Sequence, residues 1–142
     1  TNLSELVQDL ISGLEPVAEM KDIAFRLQAE KDVTVSADPI LVQNAIRNLI
    51  DNALKYSPAE SDITVTVTQE DMAVVRICDA GPGFPQDHMA RLVDRFARGE
   101  NAKGITGSGL GLTIVQDVAL AHNGTLELSN AEGGGACVTF SL

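Results

Sequence analysis

The chain has 142 residues, 44% apolar and 4% aromatic, with no Trp and a formal net charge of -10. That length suits one domain with a real core. The acidic balance and the scarcity of aromatics argue against nucleic-acid binding and against an anionic membrane surface. No apolar run approaches the roughly 20 residues that span a bilayer, and no signal peptide is visible.

Asn2 and Glu5 form a capping-box pattern, and Leu3, Leu6, Val7, Leu10, Ile11 and Leu14 follow at helical spacing. Gly13 and Pro16 are expected to weaken or bend that helix. Residues 23–28 and 33–36 read as two short strands. Asp38-Pro39 is a helix start, a cap followed by proline in the first turn. The helix expected over 39–55 carries Val42, Ile46, Leu49, Ile50 and Ala53 on one face and Asn44, Asn48, Asn52 and Lys55 on the other. Three Asn at four-residue intervals are unusual for a merely solvated face, where better helix formers would serve.

Residues 63–68 alternate as a half-buried strand, and a more apolar strand over 72–79 ends at Asp79. Residues 86–95 read as a short helix, 96–108 as a long polar loop, and 109–121 as a helix with Leu110, Ile114, Val118 and Leu120 at its spacing. Closing strands are expected over 125–129 and 136–142, around Gly133-Gly134-Gly135. This order implies α/β architecture: a two-layer sandwich with helices on one face of a mixed sheet. The row Thr64, Thr66, Thr68 is expected to lie on its open face. Cys78 and Cys137 both fall in apolar strand-like segments outside any CxxC pair, and read as buried free thiols in a reducing compartment.

The chemistry concentrates in Asp79-Ala80-Gly81-Pro82-Gly83-Phe84 and Gly107-Ser108-Gly109-Leu110-Gly111-Leu112. Glycine-rich backbone approaches a ligand closely, and a helix start attracts phosphate. An aspartate can accept a hydrogen bond from the adenine amino group. A neutral Asn amide can serve Mg²⁺ beside phosphate oxygens, and a Lys gives phosphate a point charge. With Asn48, Asn52, Lys55 and Tyr56 upstream, the pattern points to an ATP site.

In order and spacing these segments resemble the catalytic ATP-binding domain of bacterial sensor histidine kinases, within the superfamily of gyrase, Hsp90 and mismatch-repair ATPases. NAIRNLIDNALKYSP resembles the N box, DAGPGF the first glycine box, VDRFARGE the F box, GSGLGLTIV the second glycine box and GGGACVTF the last. The resemblance covers essentially the whole chain, residues 1–142. It implies a Bergerat-type sandwich of about five strands and three helices, with an ATP lid over about 96–109.

The resemblance also implies roles. Asn52 would ligate Mg²⁺, with Asn48 beside it at the metal and phosphates. Lys55 would contact phosphate, and Tyr56 would pack at the ribose or adenine. Asp79 would bond the adenine amino group in a pocket shaped by Gly81, Gly83 and Phe84. Phe96 would anchor the lid, and Arg98 and Lys103 would reach the terminal phosphates. Gly107, Ser108, Gly109, Leu110, Gly111 and Leu112 would hold the phosphate loop, and Thr139 would assist adenine through water. Asn48, Lys55 and Arg98 would be the catalytic residues.

The implied function is γ-phosphoryl donation from MgATP to a histidine on a separate dimerisation domain, and through it, indirectly, to a response regulator. The isolated domain would be a monomer. The full-length kinase would be a homodimer, with this part on the cytoplasmic side of an inner-membrane sensor. The start at Thr1 is read as a piece of a longer protein.

Departures are Val93, where the F box often has Phe, and Asn123 in place of the first Gly of His-Gly-Gly. Neither His88 nor His122 has an acceptor-like setting; both read as surface or cap residues. Two alternatives remain: a related ATPase or anti-sigma serine kinase, which usually carries a Glu one turn before the metal-binding Asn, and a non-catalytic nucleotide-binding module.

Overall fold

The computed structural model describes residues 1–80, 108–130 and 135–142. The expected helix over 86–95, most of the lid and the triple glycine up to Gly134 lie outside these residues. So do Gly81, Gly83, Phe84, His88, Phe96, Arg98, Lys103 and Gly107.

Helix α1 (Leu3–Met20) begins as its sequence requires: the Asn2 side chain accepts the Glu5 backbone N–H at 3.1 Å. The helix runs through Gly13 and Pro16 without a break. Its buried stripe of Leu3, Val7, Leu10, Ile11, Leu14 and Ala18 holds it on the core, and packing outweighs the local cost of the proline. Strand β1 (Ile23–Ala29) follows.

The strand expected over 33–36 does not form; a single bridge, Asn2 to Thr34, takes its place. The segment is a strap under the start of α1. Leu3 donates to the Val33 carbonyl at 2.7 Å and Val35 to the Thr1 carbonyl at 2.9 Å. The ladder stops there because its partner turns into a helix at residue 3.

Helix α2 (Pro39–Tyr56) is capped by Asp38, whose carboxylate accepts from the Ile40 and Leu41 amides at 2.9 and 3.3 Å. Then come β2 (Ser61–Gln69), β3 (Ala73–Cys78), α3 (Ser108–Ala121), β4 (Thr125–Asn130) and β5 (Ala136–Ser141). The strands form one sheet in the order β1-β2-β3-β5-β4. β1 pairs with β2 in parallel and the other pairs are antiparallel, so the sheet is mixed, as expected.

Period-2 alternation sorts the sheet residues. Ile63, Val65 and Val67 on β2, Ala73, Val75 and Ile77 on β3 and Phe140 on β5 are buried with the apolar stripes of the helices. On the other face, register aligns Thr66, Arg76, Thr139 and Glu127 across four strands. Arg76 and Glu127 are exposed and the two threonines half-buried, the polar face that the threonine row implied. Among the residues of α3 whose burial is described, Val115, Val118 and Ala119 are buried, whereas Leu120 is 64% exposed, outside the stripe its spacing suggested.

The two cysteines correct the free-thiol expectation. Cys78 on β3 and Cys137 on β5 are direct register partners, with Cα atoms 4.1 Å apart, and are joined as a disulfide. Fifty-nine residues separate them in sequence, so only the strand pairing brings them together. Among the described residues, no helix is long and apolar enough to cross a membrane.

Candidate functional site

The site begins where β3 ends. The Asp79 N–H donates to the Ala136 carbonyl at 2.8 Å, as a ladder residue would. The return bond is different: the Ala136 N–H donates to Asp79 Oδ1 at 3.1 Å. The side chain takes the place of its own backbone carbonyl in the last rung, and this fixes the carboxylate at the end of the β3–β5 pair.

Gly135 makes the close approach feasible. Its φ is +93°, and a Cβ there would collide with the Asp79 carbonyl oxygen. By alternation Asp79 lies on the side of Ala73, Val75 and Ile77, the face that the helices cover.

Helix α2 supplies the amides. Its buried side is Val42, Ala45, Ile46, Leu49, Ile50, Ala53 and Leu54. Asn48 and Asn52 are half-buried on the flank of that stripe, and Asn44 and Lys55 are exposed. Lys21, the C-cap residue of α1, donates from Nζ to the Leu54 carbonyl at 3.5 Å, which puts the end of α1 near the end of α2. Asn52 lies two residues before Leu54, near the same end of α2.

Helix α3 packs alongside α2. His122, just past α3, ties it to the start of α2: its Nε2 accepts the Asp38 N–H at 3.3 Å, while Nδ1 bonds the Val118 carbonyl at 2.8 Å. This fulfils the capping expectation for His122. With α2 and α3 packed side by side and this tie at one end, the start of α3 is carried toward the Asn52 end of α2. Ser108, expected in the loop, is already the first residue of α3.

Two features had no sequence signal. One is the side-chain rung from Asp79 to Ala136, which depends on long-range pairing. The other is Asp51. Burial pushes its carboxyl above the ordinary value of 3.8, partly offset by Arg47, whose Nε lies 3.9 Å from Asp51 Oδ2.

Thr139 stands apart. It pairs with Arg76 and Glu127 on the open face, opposite to the side on which Asp79 falls.

The chain matches the family model described as "Histidine kinase-, DNA gyrase B-, and HSP90-like ATPase" over residues 37–142. It belongs to that ATPase family. The sensor protein QseC of Escherichia coli K12 is 38% identical over 136 residues, covering 94% of this chain and 29% of that protein. The chain therefore spans under a third of the length of that relative. A solved structure of the mycobacterial sensor histidine kinase MprB is 32% identical with TM-score 0.77, over 96% of this chain and 93% of that one. The catalytic domain of histidine kinase ThkA aligns with TM-score 0.87 over 100% and 92% of the two chains, a likeness of fold at 23% identity. The matched region begins at Ala37 and takes in α2, Asp79 and α3.

Proposed function

We propose that this chain is the MgATP-binding catalytic domain of a sensor histidine kinase, which donates the γ-phosphoryl group to a histidine on a separate helical dimerisation domain. The observation that carries the reading is Asp79, a carboxylate fixed by the last β3–β5 rung on the helix-covered side of the sheet. A base reader needs such an acceptor at a set position, because a buried hydrogen bond discriminates only when its geometry is fixed.

Among the described residues, no cluster of three or more His, Cys, Asp or Glu could hold a metal by itself. For a cation shared with phosphate oxygens, Asn52 offers one neutral amide oxygen and Asn48 another one turn away. When bound, Mg²⁺ supplies neutralisation of phosphate charge. Lys55, exposed on the last turn of α2, adds a positive charge near the same end. The backbone amides opening α3 add the positive end of a helix dipole. Tyr56, Ser108, Gly109, Leu110, Gly111 and Leu112 belong to these two helix ends and are assigned to the same pocket, with Gly81, Gly83, Phe84, Arg98, Lys103 and Gly107 completing it. Catalysis in this reading is positioning and charge stabilisation.

A cytoplasmic location, a homodimeric full-length kinase and a response regulator downstream are part of the same proposal. Incubation with γ-labelled ATP tests it. Acid-labile label is expected on an added phosphoacceptor domain and not on this chain alone. Label on the isolated chain would place the acceptor within it and overturn the domain reading.

A further inference from the structure

The Cys78–Cys137 pair brackets the candidate adenine reader. Cys78 precedes Asp79, and Cys137 follows Ala136, so the sulfur bridge lies one register step from the rung that holds the carboxylate. We propose that this pair is a thiol–disulfide modification site that sets nucleotide affinity by locking or releasing that rung.

The inference rests on the nucleotide-binding reading above. A domain that uses ATP works in the cytosol, where protein disulfides are typically transient and redox-sensing rather than permanent. A bridge between these two strands is therefore one that cycles. Its surroundings suit that role. Cys78 is half-buried on the open face of the sheet and reachable, whereas Cys137 is 1% exposed. Arg76 stands two residues before Cys78 on the same face, exposed. Cys78 is thus the sulfur that reacts first with a small-molecule disulfide such as glutathione disulfide, and Cys137 is the resolving one.

The chemistry balances as two exchanges. The Cys78 thiolate attacks one sulfur of glutathione disulfide, a mixed disulfide forms, and one glutathione thiolate leaves. The Cys137 thiolate then attacks the Cys78 sulfur, and the second glutathione leaves. In sum, two protein thiols and one glutathione disulfide give one protein disulfide and two glutathione thiols; the protein is oxidised and glutathione reduced. Excess glutathione reverses both steps.

The consequence for the site is local. The Asp79–Ala136 rung consists of two hydrogen bonds at the end of a strand pair, where ladders open most easily. The covalent bridge one step away prevents that opening and preorganises the acceptor. Reduction leaves the rung to its own hydrogen bonds, and ligand must then order it on binding.

The test is ADP affinity by calorimetry on this chain across a series of glutathione to glutathione-disulfide ratios, with free thiols counted at each ratio. We expect about fivefold weaker binding in the reduced form. The change should follow the loss of both thiols in a single transition, while the thermal melt shows both forms folded. The C78S/C137S double variant should bind at the reduced-form affinity at every ratio. Two free thiols at every ratio, or equal affinity in the two forms, would overturn the switch alone. ADP binding by neither form would overturn the nucleotide reading with it.

Discussion

The two faces of the β3–β5 pair are built from alternate residues of the same strands, yet they do different work. On one side Val75, Ile77 and Phe140 are buried under the helices, and Asp79 ends the row. On the other side Arg76, Thr139 and Glu127 form a polar row with Thr66, open to water. The contrast is one of parity along the strand, which puts residues of similar chemistry on opposite faces. Asp79 and Thr139 are both suitable adenine partners by side-chain type, and only Asp79 falls on the covered side.

The sharpest way to break this comparison is at Asp79. Asp79→Ala should weaken ADP and ATP binding roughly a thousandfold with the fold retained, since a site built around one hydrogen bond loses most when it is removed. Near-native ADP affinity in a folded variant, read by calorimetry, would defeat the assignment. A deletion in the apolar part of the same face should act on stability instead. Val75→Ala, at a position that is fully buried, should cost about 2 kcal/mol in chemical denaturation. Its ADP affinity, measured where the protein remains folded, should stay within about twofold of the parent.

Next in size is Asn52. Asn52→Ala should lower ATP affinity about tenfold in the presence of Mg²⁺ and little in its absence, because one of the few protein ligands to that cation is gone. The same Mg²⁺ dependence in variant and parent would refute the metal role.

The smallest effect concerns Asp51, whose pKa is raised in the folded state mainly by burial. A raised carboxyl pKa means that charging the group is harder in the folded chain. Its contribution to stability is complete below the ordinary value near 3.8 and is lost as pH rises through the raised folded value. The side chain is 49% exposed, so solvent screens the effect. Asp51→Asn should gain a few tenths of a kcal/mol at pH 7, and the gain should fade toward pH 3. A gain that grows on acidification would show the sign to be wrong.

Much of this architecture was legible from local pattern. The caps at Asn2 and Asp38, the apolar stripe of α2 and the alternation of β2 all express short-range rules, and the elements formed where those rules put them. What the sequence concealed depends on pairing across long separations. Residues 33–36 have strand composition but meet Thr1, Asn2 and the first turn of α1 rather than a strand, so they strap rather than pair. Cys78 and Cys137 read as separate apolar thiols until the β3–β5 register set them opposite each other. The position of Thr139 on the open face was likewise hidden by a motif that names a residue without stating which way its strand faces it.

A residue-resolved NMR titration with MgADP tests the central claim most directly, because it reads both faces of the sheet in one experiment. The account predicts that the backbone amides of Asn48, Asn52, Asp79 and Ala136 shift strongly on saturation, while those of Thr66, Arg76, Thr139 and Glu127 move little. Strong shifts along the open-face row, with Asp79 and Ala136 unmoved, would contradict it.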